Sequence, residues 1–206
     1  MQASKRKPTL PNTTIHLIRH GEVENPRKVY YGRLPRFGLS VQGRAQAAHA
    51  GLYLQDQPLD ALYTSPMLRA RQTAALVRGE RDLPLRISNL LNEVHSPYDG
   101  EPWNVLEDRQ FDVYTGSTEE YEQAADVLAR MLRFLRRVRR DWRGRSVAAV
   151  SHGSPLAVVL DWARSGDTVQ TRHKLPGHAS ISTLVFQTDD PQERPQVSVY
   201  DPNQPA

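Results

Sequence analysis

Two short apolar runs in this chain, at positions 14–18 and 146–150, each lead into a histidine followed by glycine. Their letters, TIHLI and SVAAV, are typical of short buried β-strands. The first run leads into Arg19 and His20, and the second leads into His152. Ligands bind beyond the carboxyl ends of strands in open parallel sheets. Neighbouring strands would therefore bring both imidazoles to one edge of a sheet.

A third apolar run, at 59–63, ends in a Thr-Ser-Pro turn that is followed by Arg69 and Arg71. The planar fork of an arginine can hold phosphate oxygens through two parallel hydrogen bonds. Taken alone, a histidine after a strand is more often structural, and an arginine early in a helix is usually solvated. The repeated His-Gly pair with a helix start between the two copies favours a shared anion site instead.

Such a cluster could transfer a phosphoryl group without a metal or a thiol. Histidine attacks only as the neutral imidazole, and nearby arginines lower its pKa because they disfavour a further positive charge. A loop carboxyl could protonate the leaving oxygen and later activate water. We therefore predict a phosphohistidine intermediate and no metal or other cofactor.

The segments between these residues alternate in pattern. Ser40 stands as the N-cap of a predicted helix, and Ser65 and Ser154, each followed by proline, indicate two more helix starts. The predicted helices cover 41–55, 66–77, 118–142 and 154–162, further strands cover 85–87 and 180–186, and a long irregular insertion covers 93–116. Strands that alternate with helices predict an α/β layered domain around a mostly parallel sheet.

Length and composition limit the remaining classes. The chain has 206 residues, 27 Lys and Arg against 23 Asp and Glu, a net charge of +4, and no cysteine. At roughly 150 residues per domain this is one domain. Without cysteines there are no disulfides or thiolate metal sites. The sequence shows no signal peptide and no apolar run of membrane-spanning length, so we predict a cytoplasmic protein without a membrane partner. The predicted organisation is a flexible arm at 1–12, the domain at 13–188 and a proline-rich tail at 189–206, with an edge strand at 197–200.

Several motifs of this sequence resemble those of the histidine phosphatase superfamily, the phosphoglycerate mutase-like proteins. The matching motifs are LIRHGE at 17–22, LSxxGRxQ at 39–46, YTSPxxRAxQTA at 63–74, LNE at 91–93 and VSHG at 150–153. The resemblance covers about residues 14–186 and implies a three-layer α/β/α fold with a mostly parallel central sheet.

The resemblance also implies roles for single residues. His20 looks like the phosphorylated nucleophile, Arg19 and Arg69 like phosphate clamps, and His152 like a third phosphate ligand. Glu93 occupies the position of the usual proton donor. The resemblance further places Asn25 and Gly153 in the phosphate pocket.

The sequence departs from the usual family pattern at three places. The first motif continues as RHGEVENP, so Asn25 falls one place early. The run HSPYDGEPW after Glu93 makes Asp99 and Glu101 rival proton donors. His178 stands where asparagine is frequent, and we interpret it as structural.

The predicted function is hydrolysis of a small phosphomonoester. The alternatives are phosphoglycerate mutase-type transfer back to a substrate, and a non-catalytic phosphate-binding domain. The dense arginines between 130 and 145 could form a nucleic-acid patch, but they lie opposite an apolar stripe, and we interpret them as a solvated face. Arg33, in a basic loop after the nucleophile, could contact substrate or be surface charge. The sequence leaves the physiological substrate and the oligomeric state open.

Overall fold

The computed structural model describes residues 12–166 and 174–203 of the chain. Its centre is a six-stranded sheet in the order β3-β2-β4-β1-β5-β6. The strands are β1 (Thr13–Arg19), β2 (Ala61–Thr64), β3 (Leu85–Ile87), β4 (Ser146–Ser151), β5 (Ile181–Phe186) and β6 (Gln196–Tyr200). β1, β2, β3 and β4 run parallel to one another, whereas β5 is antiparallel to both of its neighbours. The mostly parallel sheet predicted from the alternation is confirmed.

Five α-helices accompany the sheet within the part of the chain that the structure describes. They are α1 (Val41–Tyr53), α2 (Leu68–Arg78), α3 (Trp103–Asp108), α4 (Ala124–Asp141) and α5 (Gly153–Ser165), and a 3₁₀ turn covers Asn89–Leu91. No helix within the described residues is both long enough and apolar enough to cross a membrane.

Each face of the sheet has its own apolar core because successive strand side chains point to opposite faces. In β4, Val147 and Ala149 pack in the core that α4 and α5 cover. Ala148 and Val150 pack in the core that α1 and α2 cover. The chain therefore forms three layers, with the carboxyl ends of β1, β2 and β4 along one edge.

One helix start agrees with its sequence signal and two do not. The Ser40 hydroxyl accepts a hydrogen bond from the Gly43 amide (2.9 Å), which confirms the predicted cap of α1. The capping roles predicted for Ser65 and Ser154 are wrong, because α2 begins at Leu68 and α5 at Gly153. The Ser65 hydroxyl lies at the carboxyl edge of the sheet and is occupied by other partners there.

The predicted solvated face of α4 is wrong for two arginines. Arg130 and Arg139 are buried, with 5% and 9% of their surface exposed. Arg139 donates to the carbonyls of Thr188 and Asp190 and pairs with Glu193 at 3.0 Å. Long arginine stems can cross an apolar layer when the guanidinium finds acceptors on its far side.

Part of the predicted tail at 189–206 belongs to the central sheet. β6 begins one residue before the predicted edge strand and pairs with β5. Beyond it, Asn203 accepts a hydrogen bond from Gln46 (2.8 Å) and donates one to the carbonyl of His178 (2.8 Å). Of the predicted arm at 1–12, all but Asn12 lies outside the described residues.

Candidate active site

The strand order brings the two histidines together. β1 and β4 are parallel neighbours, with Arg19 paired to Ser151, so the residues that follow them are adjacent. The ring centroids of His20 and His152 are 5.1 Å apart, and both side chains are buried. β2 lies on the other side of β4, so the helix after it carries Arg69 to the same edge, where its Nε is 3.2 Å from His20 Nε2.

Glycine is needed after His20 because the chain passes very close to α1 there. A Cβ at Gly21 would lie 2.3 Å from the carbonyl oxygen of Gly43, which is a severe clash. The amide of Gly21 also donates to the Thr73 hydroxyl at 3.1 Å. The His-Gly pair thus fixes the main chain that holds the His20 ring.

The hydrogen bonds of His20 define its protonation. Its Nδ1 lies 2.7 Å from the carbonyl oxygen of Gly21, which only accepts, so Nδ1 carries the proton and Nε2 carries the lone pair. Burial, followed by the charges of Arg69 and Arg19, lowers the pKa of His20 well below its ordinary value. The imidazole is therefore neutral, and the lone pair on its Nε2 accepts a hydrogen bond from Arg69 Nε.

Two arginines supply positive charge around this nitrogen. Arg19 Nη1 donates to the carbonyl of Pro176 at 2.6 Å, while its buried Nε finds no hydrogen-bond partner among the described residues. Arg69 Nη2 donates to the carbonyl of Gly32 at 2.6 Å, and its guanidinium lies 4.7 Å from the ring centre of Tyr31. Since arginine stays charged when buried, these groups form a buried, cationic site.

His152 is held by a chain of hydrogen bonds. Its Nε2 is 2.9 Å from the Ser65 hydroxyl, which itself donates to Asn92 Oδ1 at 3.0 Å. Ser65 therefore accepts the Nε2 proton, and Nδ1 of His152 is left buried without a partner in the described part of the chain. Burial, followed by the charge of Arg69, lowers the pKa of His152 well below its ordinary value.

Glu93 enters the same site from the loop after the 3₁₀ turn. Its side chain is buried, and one carboxyl oxygen accepts the amide of Val94 at 2.9 Å. Burial raises the pKa of Glu93 despite the neighbouring arginines. A carboxyl with a raised pKa is suited to give up a proton near neutral pH.

A set of charged side chains, which we call the Glu122 latch, holds the loop of Glu93. Arg33 Nε and Arg130 Nη2 both donate to the main-chain carbonyl of Glu93, at 2.8 and 3.2 Å. Glu122 joins them, with one oxygen 2.7 Å from Arg130 Nε and the other 2.8 Å from Arg33 Nη2. Its second oxygen also accepts the amide of His95 at 2.9 Å.

Sequence reasoning missed this latch. It left Arg33 open between substrate contact and surface charge, assigned Arg130 to a solvated face and did not select Glu122. Glu122 and Arg130 are close in the chain, but Arg33 and the carbonyl of Glu93 are distant from them, so no local spacing signals that the four groups meet.

A small cavity is bounded by Arg19, His20 and Glu93, and we call it the histidine cavity. Its volume is about 40 Å³. Its apolar wall is formed by Tyr30, Tyr31, Trp103, Phe111, Val113 and Leu175. Gly153 and Ser154 line it at the N-terminus of α5. A helix N-terminus carries partial positive charge and unpaired amides, which favours an anion there.

Four other sequence candidates lie outside this cavity. Asn25 bonds through both amide atoms to the main chain of Val29, at 2.8 and 3.2 Å, and lines a neighbouring pocket. Asp99 accepts the amide of Arg33 at 2.9 Å. Glu101 and Arg71 are exposed. Of the three carboxyl groups considered as proton donors, Glu93 is the one that lines the cavity.

His178 lies closer to the site than expected. Its ring centroid is 5.9 Å from that of His20. Burial, followed by the charge of Arg19, lowers the pKa of His178 to about 3, so a second neutral imidazole lies beside His20. Among the residues that the structure describes, no group of three or more His, Asp or Glu side chains is placed to hold a metal ion.

Comparison with known proteins points to one family. The family model of the histidine phosphatase superfamily (branch 1) matches residues 15–195. The chain is 34% identical to the uncharacterized protein Rv0525 of Mycobacterium tuberculosis, over 86% of this chain and 92% of that protein. It is 27% identical to the uncharacterized phosphatase PhoE of Bacillus subtilis, over 84% and 89%. The solved structure of Bacillus stearothermophilus YhfR superposes with a TM-score of 0.74 at 26% identity, over 84% and 90%.

Proposed function

Because this chain belongs to the histidine phosphatase superfamily, whose members transfer phosphoryl groups, we propose that it hydrolyses a phosphomonoester through a phosphohistidine on His20. The observation that carries this proposal is the lone pair of His20 Nε2, buried between Arg19 and Arg69 with the carboxyl of Glu93 in the same cavity.

In the first step, the phosphate dianion binds to Arg19, Arg69 and the amides at the start of α5, with Gly153 leaving room for it. Its charge favours a proton on the unpartnered Nδ1 of His152, which then donates to a phosphate oxygen. Nε2 of His20 attacks phosphorus while the bond from phosphorus to the ester oxygen breaks. The proton of Glu93 goes to that oxygen, so the alcohol leaves neutral. Fixed cationic donors stabilise the charge that the equatorial oxygens carry in the transition state.

In the second step, the Glu93 carboxylate takes a proton from water, and the water oxygen attacks phosphorus. The bond between phosphorus and Nε2 breaks, which releases inorganic phosphate and restores His20. The hydrogen bond from Nδ1 to the Gly21 carbonyl keeps the ring in the tautomer that both steps require.

Replacement of the nucleophile tests this proposal. In His20→Ala, we expect release of phosphate from phenyl phosphate to fall at least about a thousandfold, and the acid-labile phosphoenzyme of the wild type to disappear. His49→Ala is the matched control, because His49 is exposed on α1. Full hydrolysis by a folded His20→Ala protein would refute the proposal.

The alternatives predict different products. A mutase would isomerise 3-phosphoglycerate in the presence of its bisphosphate and release little phosphate. A non-catalytic domain would bind inorganic phosphate and form no phosphoenzyme. The same protein preparations distinguish all three outcomes.

A further inference from the structure

A second pocket, which we call the side pocket, adjoins the histidine cavity. Its volume is about 520 Å³, much larger than the cavity itself. Tyr31 and Trp103 line both spaces, so the two adjoin at these rings. A phosphoryl group in the cavity would therefore have its alcohol part directed to a space that holds a larger group.

The charges of the side pocket differ from those of the cavity. Of the described residues that line it, Glu22 and Glu107 are acidic and Lys28 is basic. His178 also lines it and is neutral, because burial lowers its pKa to about 3. The side pocket is thus net negative, whereas the cavity is positive.

Once substrate is bound, the positive charges of the cavity arginines do not offset the net negative charge of the side pocket. Arg19 and Arg69 together match the two negative charges of a phosphate dianion. A second anionic group on the substrate would then face two carboxylates with one exposed ammonium, from Lys28, to offset them. Like charges at close range repel one another even where solvent screens part of the repulsion.

Aromatic surface forms the rest of the contact. Trp103 begins α3 and packs against Phe111, with ring centroids 5.4 Å apart. Its main-chain amide donates to the carbonyl of Lys28 at 2.7 Å, which joins α3 to the loop that carries Tyr31. A fixed indole that borders both spaces offers a flat apolar surface to a group leaving the cavity.

We propose that the side pocket binds the alcohol part of the substrate and selects phosphomonoesters whose alcohol carries no negative charge and presents a flat apolar face. This inference rests on the proposed phosphatase function. It excludes phosphorylated carboxylic acids and bisphosphates as preferred substrates.

The test compares phenyl phosphate with 4-carboxyphenyl phosphate. The two differ by one carboxylate, and the carboxylate makes the phenol a slightly better leaving group, so slower turnover cannot come from intrinsic reactivity. We expect kcat/KM for phenyl phosphate to exceed that for 4-carboxyphenyl phosphate by about tenfold or more, since one unit charge is repelled at close range. Equal values would overturn the inference.

Charge reversal at the pocket sharpens the test. Glu107→Lys should reduce the preference for phenyl phosphate at least threefold, because Glu107 is exposed and borders the pocket. Glu80→Lys makes the same charge change after α2, outside the pocket, and should leave the preference unchanged. An equal effect of both variants would show only a change in net charge and would refute the pocket assignment.

Two variants of Trp103 test whether its flat apolar surface contacts the substrate. Trp103→Leu should raise KM for phenyl phosphate about tenfold by loss of the flat contact, and Trp103→Phe should restore most of it. If Trp103→Phe behaves like Trp103→Leu, the flat contact is refuted.

If the wild type hydrolyses neither ester, the proposed phosphatase function fails, whereas hydrolysis of both at equal rates refutes the selectivity alone.

Discussion

The contacts of the Glu122 latch predict how much stability and activity a substitution of Glu122 should remove. Glu122→Gln keeps the shape of the side chain but removes its charge and replaces one oxygen by an NH₂ group. Burial raises the pKa of Glu122, but the hydrogen bond and charge of Arg130 outweigh burial and lower that pKa overall, so the carboxylate is ionised at neutral pH. The substitution therefore removes a charge that the native protein uses.

The unfolding free energy lost in Glu122→Gln depends on how exposed Glu122 and its two arginine partners are. The side chains of Arg130 and Glu122 are 7% and 20% exposed, and that of Arg33 is 31% exposed. Removal of one partner of a fully buried ion pair costs about 3–5 kcal/mol, and one charged hydrogen bond contributes about 1.5–3 kcal/mol. Glutamine preserves one acceptor oxygen, and water reaches part of the site. We therefore expect a loss of about 2–4 kcal/mol of unfolding free energy, or a fall in Tm of roughly 5–15 °C for a chain of this size.

The effect on activity should be selective. Arg33 and Arg130 hold the main chain of Glu93, so a loosened latch weakens proton donation more than phosphate binding. We expect kcat for an alkyl phosphate to fall about tenfold with little change in KM. 4-Nitrophenyl phosphate, whose leaving group needs less protonation, should be affected far less.

Thermal unfolding and steady-state kinetics well below Tm measure both effects. Glu120→Gln is the control, because Glu120 is a neighbouring exposed carboxylate. If both esters slow by the same factor, Glu122 supports the fold without positioning Glu93. Unchanged stability and unchanged rates would refute the latch altogether.

Two further predictions concern pH. Burial and the arginines lower the pKa of His20, so this histidine should not limit kcat at saturating substrate as the pH falls through 6.5, although kcat/KM should fall as the substrate dianion, with a second pKa of about 6, gains a proton. Burial raises the pKa of Glu93, so kcat should decline as the pH rises through that pKa, and Glu93→Gln should remove the decline and lower kcat for alkyl phosphates about a hundredfold. A kcat that falls with decreasing pH near 6.5 would contradict the neutral state of His20. Burial lowers the pKa of His16 to about 4 from its ordinary 6.5, so the unfolded chain binds this proton more readily and stability should fall by up to about 3 kcal/mol as the pH drops from 6.5 to 4. The pH dependence of chemical unfolding in the wild type and in His16→Gln measures this, and parallel curves for the two proteins would argue against it.

Local patterns in the sequence predicted much of the fold. Strand β4 followed from the run SVAAV and helix α4 from apolar residues at helical spacing, because a buried face imposes its period on the chain. The cap of α1 followed from Ser40. The capping roles predicted for Ser65 and Ser154 were wrong. The residue at which a helix begins also depends on which other groups the nearby polar side chains can hydrogen-bond. The Ser65 hydroxyl bonds to His152 and Asn92.

The residues of the candidate site could be selected from motifs, and their meeting at one edge of the sheet could be predicted only on the condition that their strands are neighbours. His20 and His152 are adjacent because β1 and β4 are neighbours, and the order of strands in a sheet is not written in any one segment. The contact of Arg33 with Glu122 joins residues 89 positions apart, and Arg130 reaches Glu93 across 37.

The sequence by itself therefore determined the six strands, the helices α1, α2, α4 and α5, the family motifs and the residue types of the site, whereas α3 lies in the insertion that it predicted to be irregular. The tertiary structure alone decided the burial and the tautomer of His20, the latch on Glu93 and the negative charge of the side pocket. The physical reason is that periodicity and capping act within a few residues, whereas burial, charge proximity and cavity shape arise only when distant segments pack together.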